Sequence, residues 1–224
     1  MEGKNTMSNH IILFGPPGSG KGTFSGRITK KFPEFRHIST GDIFRENLKN
    51  ETLLGKKAKE YMEKGELVPD SLTNDLVKDK LDQVEDKSWL LDGYPRNMTQ
   101  VEFLNKHADI DLFLLLEIPR KVIKQRILGR FSCHECGEIY NKYTLQPEKQ
   151  IGDEKWICDK CGAEIEFQQR ADDSEETLEN RLDVYEEYAE PIIEHYEEKG
   201  KLKKIDARKT LKYTDEELKE ILEI

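Results

Sequence analysis

The 224-residue sequence contains no long apolar run. The first apolar segment extends only from Ile11 to Phe14, and no other run approaches the roughly 18 residues that a membrane-spanning helix needs. A secretory signal peptide also requires a longer apolar segment than this one. The sequence therefore predicts a cytoplasmic protein that does not enter a membrane.

The chain also lacks an excess of positive charge. It has 36 Lys and Arg residues against 45 Asp and Glu residues, which gives a net charge of −9. A general affinity for nucleic acid or for anionic membranes is thereby excluded, so any anionic ligand must be gathered by a local cluster of cations. The 36% hydrophobic content suffices for one core, or for one core and a small inserted module.

Cysteine is scarce, and all four cysteines fall in one short window. They form two pairs with the same spacing, Cys133-x-x-Cys136 and Cys158-x-x-Cys161. In a reducing cytosol such pairs indicate a metal site, the alternatives being free or disulfide-bonded thiols. Four thiolates suit tetrahedral Zn²⁺, and iron is a second possibility. The surrounding residues 131–171 lack helical periodicity and predict an inserted module of short β-structure.

A glycine-rich turn directly follows the first apolar run. Its sequence is Gly15-Pro16-Pro17-Gly18-Ser19-Gly20-Lys21-Gly22-Thr23, and a helical pattern begins after it. Such a turn lets backbone N–H groups converge on a phosphate while the lysine reaches the outer phosphates. The general motif has a hydroxyl residue directly after the lysine, but here Gly22 intervenes and the hydroxyl belongs to Thr23. The alternative is a tight glycine turn with an unrelated lysine.

Predicted strands alternate with predicted helices along most of the chain. This alternation favours an α/β fold with a parallel sheet and helices on both faces. Residues 1–9 show no periodicity and predict a loose extension. The predicted strands lie at residues 11–14, 36–40, 88–93, 111–118 and 203–207.

The glycine-rich turn resembles the phosphate-binding loop of nucleoside monophosphate kinases, and of the adenylate kinase family in particular, where glycine follows the lysine. Four further segments resemble that family in the same order, and together they cover the chain from about residue 9 to its end: Ser39-Thr40-Gly41-Asp42, Leu91-Asp92-Gly93-Tyr94-Pro95-Arg96 with Gln100, Arg126-Ile127-Leu128-Gly129-Arg130, and Arg170-Ala171-Asp172-Asp173. The resemblance implies a P-loop three-layer sandwich with a five-stranded parallel sheet. It further implies a core at 10–130 and 172–224, a segment at 39–69 that binds the nucleoside monophosphate, and a zinc-binding lid at 131–171.

The resemblance implies transfer of a phosphoryl group from Mg-ATP to AMP by a monomer, giving two ADP. This chemistry requires mainly positioning and positive charge around the transferred group. Asp92 would hold Mg²⁺ through water, and the remaining catalytic residues would be Lys21, Arg96, Arg126, Arg130, Arg170 and Arg181. The implied contacts to ATP are Gly18, Ser19, Gly20, Lys21, Gly22, Thr23, Arg130, Ile139, Tyr140 and Lys209.

The implied acceptor site determines which monophosphate is used. Its residues would be Thr40, Arg45, Glu66, Leu67, Val68, Gly93, Tyr94, Pro95, Arg96, Gln100, Arg170 and Arg181, with a cis peptide before Pro95. Thr40 favours AMP, because related pyrimidine kinases usually carry Ala there, whereas Asn97 is more typical of those pyrimidine kinases. A pyrimidine or broad-range kinase is therefore one alternative, and a zinc-ribbon regulator that binds ATP without turnover is another.

Overall fold

Five parallel strands form the centre of the computed structural model, which describes residues 9–224. In space they follow the order β10–β4–β1–β3–β2, and every neighbouring pair is parallel. The predicted five-stranded parallel sheet is thus confirmed, while residues 1–8 of the predicted extension lie outside the described residues. The strands are β1 (His10–Phe14), β2 (Arg36–Ser39), β3 (Trp89–Asp92), β4 (Leu112–Glu117), β5 (Arg130–Ser132), β6 (Ile139–Asn141), β7 (Lys149–Gly152), β8 (Lys155–Ile157), β9 (Glu164–Glu166) and β10 (Leu202–Asp206).

Five of the eight helices in the described part of the chain begin at polar caps that the sequence supplies. The side chains of Ser39, Thr52, Asn97, Ser174 and Thr214 each accept a hydrogen bond from a backbone N–H in the first turn of the helix that follows. Among residues 9–224, no helix has both the length and the apolar character needed to cross a membrane. The helices are α1 (Lys21–Lys31), α2 (Thr40–Lys49), α3 (Leu53–Lys64), α4 (Asp70–Asp82), α5 (Met98–Leu104), α6 (Arg120–Leu128), α7 (Glu175–Glu198) and α8 (Asp215–Leu222).

The central sheet is buried on both faces, which makes the core a three-layer sandwich. Along β1, Ile12 and Phe14 belong to the cluster that contains the buried face of α7, whereas Ile11 and Leu13 belong to the cluster that contains the buried side chains of α1 and α8. Successive side chains of a strand point to opposite faces, so a strand that is covered on both sides must be apolar throughout. This explains the continuous apolar runs of β1 and β4.

Residues 130–166 contain two small antiparallel sheets of their own. One joins β5 to β6, and the other has the order β7–β8–β9. Their shared interior is small and aromatic, with Phe131, Tyr140 and Trp156 packed beside two of the cysteines. The short β-structure expected for this region is therefore present.

The carboxyl ends of the parallel strands define the place where a ligand can bind. The chain leaves β1 towards β2 and β3 on one side and later reaches β4 and β10 on the other, so β1 borders the point where the strand order reverses. In open α/β sheets, ligands bind outside the carboxyl ends of the strands at such a point. The glycine-rich turn follows β1 there, and Asp92 ends β3 beside it.

Candidate functional site

The glycine-rich turn has a backbone shape that only glycine adopts easily. Gly20, which precedes α1, has φ +92°. Gly15 has φ +144°, and a Cβ atom added there would lie only 2.7 Å from the carbonyl oxygen of Leu116. The Lys21 ammonium lies across the turn and donates hydrogen bonds to the carbonyl oxygens of Gly15 (2.8 Å) and Pro16 (3.1 Å). The turn is therefore held closed around its lysine at the amino end of a helix, a geometry suited to phosphate.

Lys21 and Asp92 are buried groups of opposite charge that influence each other beside this turn. Burial lowers the pKa of Lys21 to about 8, and nearby arginines add to this effect, while the Asp92 carboxylate opposes it. Burial alone would raise the pKa of Asp92, but His37 and Lys21 outweigh it, so the pKa lies below its usual value. Nε2 of His37 is 3.7 Å from the Asp92 carboxylate. Asp92 is therefore ionised at neutral pH and placed beside the turn.

Arginines from distant parts of the chain surround the cavity that the turn opens into. The cavity has a volume of about 510 Å³. Its lining includes the guanidinium-bearing residues Arg45, Arg96, Arg130, Arg170 and Arg181, together with Lys21 and Asp92. A protein with a net charge of −9 thus concentrates cations at one place, as the charge balance of the sequence required of an anion site.

Two adjacent aspartates hold three of these arginines. The fully buried Asp173 accepts a hydrogen bond from Nε of Arg130 at 2.8 Å and also contacts its Nη2, and a nitrogen of Arg181 lies 3.3 Å away. Asp172 bonds Arg181 through its backbone carbonyl at 3.0 Å and lies 3.7 Å from Arg45. The short turn at Ala171–Asp173 therefore connects α2, α7 and the start of β5.

The other two arginines lack a carboxylate partner within 4.0 Å among the described residues. Arg96 donates to the Gly93 carbonyl at 2.8 Å, and Arg170 donates to the Ser132 hydroxyl at 2.8 Å. Partial removal from water is the main reason that each pKa falls to about 10, and nearby arginines add to it. Part of each side chain remains accessible within the open cavity. A bound phosphate would supply the negative charge that these two guanidiniums lack.

Arg126 is placed differently from the other predicted catalytic arginines. One of its terminal nitrogens donates to the carbonyl of Ser19 at 2.9 Å, and the other donates to the carbonyl of Ala207 at 3.1 Å. It lines the cavity, but its hydrogen bonds join the glycine-rich turn to the turn after β10. Its guanidinium thus supports the wall of the cavity where these two turns meet.

Most of the predicted site residues meet in this one cavity. The exceptions are six residues that do not line it: Ser19, Thr40, Glu66, Val68, Gln100 and Lys209. Thr40 is buried and donates from its hydroxyl to the Gly93 carbonyl at 3.0 Å, so it supports the turn after β3. The Tyr94–Pro95 peptide within that turn is cis, as the resemblance implies.

Sequence reasoning missed an apolar part of the lining. Val184, Tyr185 and Ala189 of α7 line the cavity beside Arg181, and Leu211 lines it from the turn after β10. On a helix, residues three, four and eight positions apart share a face. The spacing from Arg181 could therefore have indicated the three α7 residues, whereas Leu211 lies in a segment with no such signal.

The four cysteines meet at one end of the small sheets, and their sulfur atoms all lie within 4.8 Å of one another. The pairs Cys133–Cys161 and Cys136–Cys158 are 3.6 Å apart, well beyond the roughly 2.05 Å of a disulfide bond. Tetrahedral coordination with Zn–S bonds of about 2.3 Å would place the sulfurs about 3.8 Å apart. The spacing of the four thiols is therefore close to what one tetrahedral metal ion requires.

A tyrosine hydroxyl contacts this cluster from inside the small core. The hydroxyl of Tyr140 is 3.4 Å from Sγ of Cys158 and accepts a hydrogen bond from the backbone N–H of Asp159 at 2.9 Å. Its proton is thus available to the sulfur. The side chain is almost fully buried, so the ring is part of the small hydrophobic core of residues 130–166 although the residue also borders the cavity.

Comparison with known proteins gives one consistent result. A family model described as "Adenylate kinase" matches residues 13–201. A protein named adenylate kinase from Thermoanaerobacter pseudethanolicus is 45% identical over 218 residues, which are 95% of this chain and 97% of that protein. Adenylate kinases from Thermotoga petrophila and Clostridium tetani are 43% and 42% identical, and they cover 89% and 95% of this chain and 90% and 98% of their own lengths.

Proposed function

Because the chain belongs to the adenylate kinase family and therefore transfers a phosphoryl group between ATP and AMP, we propose that the arginine-lined cavity is where this transfer takes place. The glycine-rich turn and Lys21 hold the phosphates of ATP, and the turn after β3 holds the phosphate of AMP. The observation that carries the proposal is that the guanidiniums of Arg96 and Arg170 line the same cavity as Lys21 and have no carboxylate within 4.0 Å among residues 9–224.

The proposed mechanism is positioning together with charge compensation. Transfer proceeds in line between two phosphate chains, and negative charge spreads over the oxygens of the moving group. Cations that are already fixed need not reorganise as that charge develops. Asp172 and Asp173 fix Arg45, Arg130 and Arg181 in this way before any nucleotide arrives. No side chain has to act as a base.

Two metal ions belong to the proposal. Mg²⁺ bound with ATP would neutralise phosphate charge, and the ionised, nearly buried Asp92 is the carboxylate placed to hold it through water. Zn²⁺ is the proposed ion of the four-cysteine cluster, because four thiolates at tetrahedral spacing suit it and leave no open position. The zinc is therefore structural.

The remaining assignments follow from the same residues. We propose that residues 39–69 form the segment that binds AMP and residues 131–171 the lid, with the core in 10–130 and 172–224. We propose that the protein acts as a monomer, since every proposed catalytic residue lines a cavity within one chain. The cytosol is the proposed location, because reduced cysteines are what a four-thiolate site requires. We propose no nucleic-acid or membrane partner.

Arg96→Ala tests the acceptor side of this proposal. Removing one preorganised donor to a developing charge should lower kcat with AMP by about 10²- to 10³-fold. The dissociation constant for ATP, measured by calorimetry, should change less than about two-fold, since Lys21 and the glycine-rich turn remain. Arg36→Ala is the matched control, because Arg36 is exposed and bonds only backbone carbonyls within its own turn.

The outcome separates the two phosphate sites. If ATP binding fell as steeply as turnover, Arg96 would belong to the donor site and the assignment would be wrong. Rates with CMP or UMP equal to the rate with AMP would identify the broad-range kinase that Asn97 suggested. Unchanged turnover in Arg96→Ala would place the acceptor phosphate elsewhere.

A further inference from the structure

The carboxyl end of α3 is held by side chains of α7. The hydroxyl of Thr177 donates a hydrogen bond to the carbonyl oxygen of Glu63 at 3.0 Å, and Nδ2 of Asn180 donates to the carbonyl oxygen of Lys64 at 3.1 Å. Carbonyl groups in the last turn of a helix have no hydrogen-bond donor within that helix. The side chains of α7 therefore supply donors that α3 itself lacks, although 114 and 116 residues separate the partners in the chain.

Gly65 lets the two helices approach each other closely. It ends α3 with φ +76°, and a Cβ atom added there would lie 2.8 Å from the carbonyl oxygen of Thr177 and 2.9 Å from Cγ of Arg181. A residue with a side chain would therefore push the end of α3 away from α7, and it would also be strained by the left-handed backbone conformation. The contact between the two helices thus depends on glycine at this position.

The hydroxyl of Thr177 is oriented by its own neighbours. Its side chain is buried, and its oxygen accepts a hydrogen bond from the Ser174 hydroxyl at 2.8 Å, which leaves its proton for the carbonyl oxygen of Glu63. The oxygen of Ser174 in turn accepts from the backbone N–H of Thr177 at 3.1 Å and so caps α7. One chain of hydrogen bonds thereby joins the start of α7 to the end of α3.

The end of α3 forms one wall of the cavity. Gly65 and Leu67 line the cavity there, and we call these two residues the α3 wall. Arg181 lines the cavity from α7, one turn after Thr177 and next to Asn180 in sequence. The contact between the helices therefore determines how far the α3 wall lies from Arg181. Thr177 and Asn180 do not line the cavity themselves.

We propose that Thr177 and Asn180 are positioning residues that hold the α3 wall against α7 and thereby set the affinity for AMP. The inference rests on the proposed function, in which residues 39–69 bind AMP. With the wall already in place, AMP binding does not have to supply the free energy of ordering it. When the contact is lost, the apparent dissociation constant for AMP rises in inverse proportion to the fraction of molecules that still have the wall in place.

Thr177→Val tests the inference, because it keeps the shape of the side chain and removes the hydrogen-bond donor. The KM for AMP should rise about three- to ten-fold, the factor that one net hydrogen bond is worth. Because the wall acts on binding alone, kcat at saturating AMP should stay within about two-fold of wild type. The KM for ATP should not change, since ATP binds at the glycine-rich turn in the proposed function. Thr177→Ser keeps the hydroxyl and should restore the KM for AMP.

Thr29→Val is the matched control, since the Thr29 hydroxyl bonds only carbonyl oxygens of its own helix, α1. It should leave the KM for AMP within about two-fold of wild type. Asn180→Ala should raise the KM for AMP by less than Thr177→Val, because the hydrogen bond of Asn180 is exposed to water. A purely structural role for Thr177 would lower thermal stability and kcat without changing the KM for AMP. That result would overturn the inference.

Hydrogen exchange in nucleotide-free protein separates this failure from failure of the proposed function. The backbone amides of α3 should exchange faster in Thr177→Val than in the wild type, whereas those of α1 should not change. If exchange in α3 is faster but the KM for AMP is unchanged, the α3 wall is not part of the AMP site, and the assignment of residues 39–69 is wrong. If exchange in α3 is unchanged, Thr177 does not hold the wall and the inference fails, while the proposed function still stands or falls with Arg96→Ala.

Discussion

The lowered pKa of Lys21 predicts that ATP affinity depends on pH in a mildly alkaline range. With a pKa of about 8 in the free protein, the fraction of protonated lysine falls from about three quarters at pH 7.5 to about one tenth at pH 9. Bound phosphate favours the ammonium form and raises its pKa, so the free protein must take up a proton to bind at high pH. ATP affinity should therefore fall about eight-fold between pH 7.5 and pH 9.

Titration calorimetry measures both the affinity and the proton. At pH 9, binding of a non-hydrolysable ATP analogue should take up about 0.9 proton, read from the dependence of the enthalpy on the ionisation enthalpy of the buffer. Lys21→Arg is the matched control, since a guanidinium stays charged throughout this range, and its affinity should be nearly independent of pH. An affinity that changes less than two-fold in the wild type, with no proton uptake at pH 9, would refute the reasoning.

Two further predictions concern the lid and the turn that precedes α7. Protein purified without chelator should contain about one zinc per chain by elemental analysis. Tyr140→Phe should weaken zinc binding at least about ten-fold in a chelator competition, because it removes the hydrogen bond to Cys158. Equal zinc binding by the variant and the wild type would contradict that role of Tyr140. Asp173→Asn should lower the free energy of unfolding in urea by about 3 kcal/mol, the low end for breaking a buried ion pair, since the amide still accepts one hydrogen bond. Asp183→Asn, which changes an exposed residue on α7, is the control. A decrease of less than about 0.5 kcal/mol in the free energy of unfolding of Asp173→Asn would contradict the expectation.

The fold was predictable because its signals are local. The apolar runs of β1 and β4 follow from burial on both faces of a parallel sheet, and the glycine-rich turn specifies what comes after β1. The two cysteine pairs likewise indicated a joint metal site, because each pair carries its own spacing. In each case neighbouring residues contain the information, and the structure contains the predicted five-stranded sheet and a cluster of four cysteines.

The connections between site residues were not predictable, because they depend on contacts between distant segments. No pattern in the sequence indicated that Arg126 bonds the carbonyls of Ser19 and Ala207, which are 107 and 81 residues away. Nor could it show that the side-chain amide of Asn97 donates to the carboxylate of Asp70. A side-chain amide or guanidinium has many possible partners, and only the folded backbone decides which of them are within reach. The roles of individual site residues accordingly stay predictions.

Because the interior of residues 130–166 is small, the stability of this region's folded form depends on the metal ion that it binds. Its hydrophobic cluster has six buried members, two of them cysteines of the metal cluster. An interior of this size supplies little stability by itself. A metal ion bound at one hundred times its dissociation constant would add about 2.7 kcal/mol to the folded form, and less as the ion becomes scarce. If this region is the proposed lid, the supply of free metal in the cell would set the fraction of molecules that can cover their nucleotides, and phosphoryl transfer would respond to metal nutrition as well as to ATP and AMP.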